Sequence, residues 1–257
     1  MMLARCAALG LPLVLAALSG CAHHREATAS TELRPSETGG FSRIDMRGSV
    51  DVLVREGPVA QVAITGGPDD RAHVQTHVVG DTLVIESAEG DGHGDDGDDD
   101  DDDDSTCSHS DAKVTVDVPA LRSAILRGSG DLVIQAAGSH PEVDLVVLGQ
   151  GDVRYTGSAD LVRCKIDGSG DVELRGAGKR LEASLHGSGD LNARDFPVEG
   201  GAYEIEGSGD IATVVHGGEM AVHIGGSGDL RYRGDARITS LAVTGDGAVR
   251  QLDSSDD

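Results

Sequence analysis

Apolar and polar residues alternate along this chain in short bursts, and through its second half a glycine-rich phrase interrupts them every 19 to 21 residues. Two positions before the first glycine of each phrase stand Met46, Leu126, Val147, Ile166, Leu185, Ile205, Ile224 and Val243. Four positions after it stand Val52, Leu132, Val153, Val172, Leu191, Ile211, Leu230 and Val249. All sixteen are apolar. The next alternate positions are mostly apolar as well, including Leu145, Cys164, Tyr203, Val222 and Leu241 on one side and Val54, Ile134, Tyr155, Leu174 and Tyr232 on the other. Lys165, Glu173, Glu204 and Arg231 fall between them. A period of two belongs to strands with one buried face, so each unit reads as strand, corner, strand.

The corner phrase is Gly-Ser-Gly-Asp or a near variant. Its residues are Gly128, Gly130 and Asp131; Gly149, Gly151 and Asp152; Gly168, Gly170 and Asp171; Gly187, Gly189 and Asp190; Gly207, Gly209 and Asp210; and Gly226, Gly228 and Asp229. A further copy starting at Gly245 ends in Ala248, and an early one runs Gly48-Ser49-Val50-Asp51. A fixed period of this length marks stacked repeats. The expected fold is all-β, a right-handed parallel β-helix with about 19–20 residues per coil, because stacking coils about 4.8 Å apart aligns like aliphatics in ladders. An antiparallel meander is the alternative. Glycine at the corners lets the chain bend sharply and lets neighbouring coils approach.

Ahead of the regular repeats, strands are expected at 43–46, 51–55, 59–65, 74–79, 82–87 and 113–118, with Gly80-Asp81 as a hairpin turn. Residues 41–54 align without gaps with 121–134, which makes the front an early rung with less regular strands around it. The domain therefore spans 41–252, with regular repeats from 121 and a short acidic tail at 253–257. The Phe41-Ser42-Arg43-Ile44-Asp45 start, the Asp81-Thr82-Leu83-Val84-Ile85 strand, the Val114 to Leu121 approach and the corner series together resemble the bacterial DUF2807 family, whose domain is called the GIN domain or auto-transporter adhesin head. The resemblance implies a β-helical, secreted or envelope-anchored module with no catalytic residues. Gln150 for Ser, Val50 for the second Gly, Ala248 for Asp and an acidic insertion depart from its pattern.

Composition narrows the partners. With 45 Asp and Glu against 21 Lys and Arg, the formal charge is -24, which disfavours nucleic acid because phosphate neutralisation needs clustered bases. Only five aromatics, Phe41, Phe196, Tyr155, Tyr203 and Tyr232, are available for stacking on a sugar, and several fall on inward positions.

Residues 1–20 read as a signal peptide: Arg5 gives a short positive region, Ala7 to Leu18 an apolar one, and Leu18-Ser19-Gly20-Cys21 resembles a lipobox. Lipidated Cys21 would then anchor the chain to a membrane, with 21–40 as a flexible tether rich in Ser, Thr, Glu and Ala. The expected location is the bacterial cell envelope, at the outer membrane.

The insertion at 89–110 carries seven consecutive carboxylates, Asp98, Asp99, Asp100, Asp101, Asp102, Asp103 and Asp104. A solvated loop is the first reading, and weak Ca²⁺ capture by many oxygens the second. His93, Cys107 and His109 border the run without the spacing of a zinc site. The corner aspartates would form a column in which neighbours repel by ~0.9 kcal/mol, which Asp accepting N–H bonds within its own turn, or bridging Ca²⁺ between coils, would offset. Cys164 is expected inward as a small hydrophobe rather than paired with Cys107. No catalytic motif is written in the chain, so the expected function is a non-catalytic envelope lipoprotein presenting a rigid binding, adhesion or scaffold module to an envelope protein or surface ligand. A polysaccharide-active β-helix enzyme is a further alternative.

Overall fold

The structure, a computed structural model, describes residues 31–33, 40–87 and 112–253. The signal peptide, Cys21, most of the tether, the acidic run Asp98 to Asp104, His93, Cys107 and His109, and residues 254–257 lie outside the described residues. The strands are β1 (Thr31–Leu33), β2 (Arg43–Arg47), β3 (Asp51–Glu56), β4 (Gln61–Thr65), β5 (Val74–Val79), β6 (Thr82–Ser87), β7 (Lys113–Val118), β8 (Ser123–Leu126) and β9 (Leu132–Val147). They continue with β10 (Val153–Ile166), β11 (Val172–Leu185), β12 (Leu191–Val198), β13 (Gly200–Ile205), β14 (Ile211–Val215), β15 (Glu219–Ile224), β16 (Leu230–Gly234), β17 (Arg237–Val243) and β18 (Val249–Gln251). One short helix, α1 (Pro68–Ala72), is absent from the sequence-based expectation; Pro68 opens it and Asp69 and Asp70 fill its first turn, a favourable start for a helix.

Every pairing from β8 onward is parallel, which excludes the meander. The coils form a β-solenoid of about seven turns. In β10 and β11, Val153 stands opposite Val172, Tyr155 opposite Leu174, Cys164 opposite Ala183 and Ile166 opposite Leu185. The inward ladders are therefore those the alternation predicts, and fourteen of the sixteen flanking aliphatics are buried. The two exceptions, Val243 and Val249, sit on the last coil, where no further coil covers them among the described residues. Each buried aliphatic contributes about 1.5–3 kcal/mol, most of it offset by chain entropy. All five aromatics are buried. Tyr155 meets Phe196 edge to face with centroids 6.3 Å apart, and the Tyr203 hydroxyl bonds Thr213 Oγ1 at 3.0 Å inside the core. Cys164 is buried, and burial pushes its thiol up to about 12.

The front of the chain folds out of sequence order. β2 lies between β6 and β8, and β3 between β7 and β9, so residues 43–56 form the second rung and the later strands β6 and β7 the first. Arg43 pairs with Ser123 and Val52 with Leu132, as the alignment of 41–54 on 121–134 predicts. Beyond the first rung the pairing becomes antiparallel: β5 on β6 through the Gly80-Asp81 turn, β4 on β7, and β1 on β4. β1 lies inside the stretch read as a tether. β4 and β5 pair with the edges of the first rung, and β1 with β4.

Candidate functional site

Two surfaces run along the solenoid, the corner column and the outer face of the strands that precede it. At the corner, the carbonyl of each first glycine accepts N–H bonds from the next coil, as Gly128 O does from Gln150 at 2.9 Å and Gly151 at 3.1 Å. A Cβ on Gly149 would overlap the Gly128 carbonyl, and one on Gly151 the Gly130 carbonyl; the later corners repeat the conflict. Contact between backbones therefore demands these glycines. The chain bends at these corners, and because no corner glycine from Gly128 onward has a positive φ, it is the close approach that demands glycine.

The corner aspartates form a ladder. Asp131 Oδ1 accepts the Asp152 N–H at 3.2 Å, Asp152 that of Asp171 at 3.0 Å, and Asp171 that of Asp190 at 2.8 Å. Asp190 accepts the N–H of Asp210 at 2.7 Å, Asp210 that of Asp229 at 2.7 Å, and Asp229 that of Ala248 at 2.9 Å. The expectation that each carboxylate serves its own turn is thus corrected: it serves the next coil, because parallel stacking aims that N–H at it. Arg154 bridges Asp131 and Asp152, and Arg231 bridges Asp210 and Asp229, which further offsets the repulsion.

The ladder also explains the irregular phrases. Ala248 ends it as a donor with no later described coil to serve, so its lack of a carboxylate costs nothing. Gln150 occupies an exposed position that makes no demand on its side chain. At the early phrase that carries Val50, Ser87 Oγ takes the Ser49 N–H at 2.8 Å, where later corners use a glycine carbonyl. On the first rung the described strands stop at Ser87 and resume before Lys113, with Glu86 paired to Arg47 and Lys113 to Asp51.

The outer face is different in kind. Its register places Val146, Lys165, Ser184, Glu204, His223 and Ala242 in one column and Asp144, Arg163, Glu182, Ala202, Ala221 and Ser240 in the next. Together they line an open groove of about 720 Å³. Toward the early coils it is charged: Arg163 pairs with Glu142, with Asp144 at 3.4 Å and with Glu182 at 3.2 Å. Desolvation raises the Asp144 carboxyl above its ordinary range, against the pull of Arg43, while hydrogen bonds from Arg180 and Arg163 hold Glu182 below it. Toward the late coils the second column shrinks to Ala202, Ala221 and Ser240, while the first keeps Glu204 and His223. At the rim, Lys165 Nζ lies 2.6 Å from Asp167 and holds that carboxyl low, and His186 Nδ1 lies 3.0 Å from Asp167 Oδ1.

A third cluster sits at the opposite turn of the coil. Glu56 Oε2 accepts the N–H groups of Ala137 at 2.6 Å and Gly138 at 2.9 Å, and Glu56 Oε1 faces His140 Nε2 at 2.6 Å, both side chains nearly enclosed. Burial, with Glu56 adding to it, pushes the nearby Tyr155 phenol up to about 12. The cluster ties the end of β3 to the irregular middle of β9. Sequence reading missed both this cluster and the groove, since their members are far apart in the chain.

Among the described residues no helix is long and apolar enough to cross a membrane. No curated protein matches this chain. Solved structures share its fold: a putative adhesin from Bacteroides fragilis NCTC 9343 (20% identity, 88% of this chain and 98% of the other, TM-score 0.72) and a putative lipid binding protein from Parabacteroides distasonis ATCC 8503 (18%, 89% and 98%, TM-score 0.60). A putative adhesin from Parabacteroides merdae ATCC 43184 does so as well (15%, 89% and 98%, TM-score 0.57). The model of the family described as DUF2807, putative auto-transporter adhesin, head GIN domain, matches residues 40–236, and the chain belongs to that family.

Proposed function

We propose that this chain is a non-catalytic adhesion-type module of the bacterial cell envelope, tethered through lipidated Cys21, whose outer face before the corner column carries the contact surface. The supporting observation is the groove of about 720 Å³ on that face, where side chains change from coil to coil while the corner beside it repeats. A rigid solenoid presents such a face without ordering cost on binding. The family's adhesin description supports the same reading. The ligand is a surface protein or polymer approached edge-on along the groove; aromatic stacking on a sugar is unavailable because all five aromatics are buried.

Two measurements test the reading. The Cys21→Ser variant is expected to leave the membrane fraction for the soluble one and to lose incorporated acyl label; unchanged fractionation and labelling overturn the anchor. Ala202→Arg with Ala221→Arg is expected to abolish retention of the ligand captured from envelope extracts by the parent chain, while Gln150→Arg at the corner retains it. Equal capture by both variants moves the contact surface elsewhere. Product released from a panel of uronate polymers would overturn the non-catalytic reading.

A further inference from the structure

The outer face holds one group of carboxylates that the surrounding ion-pair pattern does not account for. Asp144, Glu182, Asp167, Asp45 and Asp117 each have an Arg or Lys beside them. Glu204 and Glu206 have none among the described residues; their neighbours are an imidazole and a hydroxyl. His186 Nε2 lies 3.5 Å from Glu206 Oε2, and Ser184 Oγ lies 3.5 Å from Glu204 Oε2. One ligand atom each from His186, Glu204 and Glu206 falls within 4.8 Å of the others. The three come from adjacent coils, so the spacing of the parallel ladder sets their separation.

The imidazole is also oriented. Its Nδ1 faces Asp167 Oδ1 at 3.0 Å, and Asp167 is itself held by Lys165 Nζ at 2.6 Å. With Nδ1–H donating to Asp167 Oδ1, Nε2 is left with its lone pair free on the side of Glu206. A carboxylate behind an imidazole is the support that metal-ligating histidines commonly have. Room is present as well: Gly225 continues the column of His186 and Glu206 without a side chain, and Glu206 Cγ and His223 Nε2 approach its vacant Cβ position to 3.8 and 3.9 Å. His223 stands in register beside Glu204 and adds a second imidazole at that edge.

From this geometry we infer that His186, Glu204 and Glu206 form a surface site for a divalent transition-metal ion of the zinc class, with Asp167 as its positioning residue and His223 at its open side. One imidazole and two carboxylates suit a borderline ion such as Zn²⁺, with water completing the shell; a hard ion such as Ca²⁺ takes six to eight oxygens, which this group does not supply. The site uses no residue of the acidic run or of the corner ladder, and its test needs no knowledge of the adhesion ligand.

The experiment is calorimetric titration of the metal-stripped full chain with Zn²⁺, with Co²⁺ absorption as a second readout. His186→Ala and the double variant Glu204→Gln, Glu206→Gln are each expected to lose one bound equivalent, or to bind it at least tenfold more weakly. Asp167→Asn is expected to weaken the same equivalent about tenfold. His216→Ala, an exposed imidazole elsewhere, keeps it. Bound Co²⁺ is expected to show a low-coordinate spectrum without thiolate charge transfer, which separates this site from Cys107 even where a variant folds poorly. Superimposable isotherms for all variants, displacement of Zn²⁺ by equimolar Ca²⁺, or a thiolate band as the sole Co²⁺ signal would each overturn the assignment.

Discussion

The corner column and the outer face belong to the same coils, are separated by only a few residues, and follow opposite rules. At the corner, Gly168, Gly187, Gly207 and Gly226 recur because each carbonyl sits where the next coil's Cβ would be. On the outer face, Lys165, Ser184, Glu204 and His223 follow one another in register without repeating. Repetition marks what backbone stacking imposes, and variation marks what it leaves free. The repeated Asp and Ser, which look like the chemistry of the chain, therefore serve its architecture, and the chemistry able to distinguish one ligand from another lies on the varied face.

The sharpest way to break this comparison is at the corner. Gly170→Val and Gly189→Val are expected to destabilise by more than about 4 kcal/mol or to prevent folding, because each places a side chain into the backbone of the preceding coil. Urea melts read the effect, and near-normal midpoints would show that coils can separate without loss. Gln150→Ser is expected to leave the midpoint unchanged.

Alkali tests the interior between the two surfaces. Burial pushes Cys164 and the Tyr155 and Tyr203 phenols up to about 12, from ordinary values of 9.0 and 10.0. Above about pH 9 the unfolded chain releases these protons while the folded chain retains them. Their contribution to stability is thus complete below pH 9 and falls by a few kcal/mol toward pH 12. Denaturant midpoints measured across that window check it, and a flat profile would contradict the burial.

The aspartate ladder should yield a smaller change. Asp210→Ala leaves the Asp229 N–H without its acceptor and leaves Arg231 with Asp229 alone, for a loss of about 1–2 kcal/mol, whereas Asp210→Asn keeps an oxygen there and loses less. Ala248→Asp adds an acceptor with no later described coil to use it and is expected to be neutral. On the outer face, Ala221→Ser and Ser240→Ala should move stability by no more than about 0.5 kcal/mol, since Ser240 is exposed and Ala221 only half-buried. A large shift there would erase the distinction between the two surfaces.

Much of the fold was legible in the chain. The ladders of Val153, Val172 and Leu191 follow from alternation at a constant period, and the Gly80-Asp81 hairpin follows from its turn residues. Less of the surface chemistry was legible. Asp190 and Asp210 are conspicuous as a series, yet the partner of each carboxylate lies in the next coil, so reading one turn at a time assigned the bond to the wrong backbone N–H. His186 and Glu206 are 20 positions apart with no motif between them, and Glu56 and His140 are 84 apart.

Sequence alone determined the repeat and which side chains it encloses, because hydrophobic burial and strand geometry act locally and recur with the period. The choice of parallel coils over an antiparallel meander, which it left open, came from the strand pairing itself. Tertiary structure decided the order of the first two rungs, the antiparallel strands beside them, the coil served by each aspartate and the company kept by His186. Those outcomes depend on which strand edge meets which, a choice among distant segments that composition and spacing leave open until the chain has closed on itself.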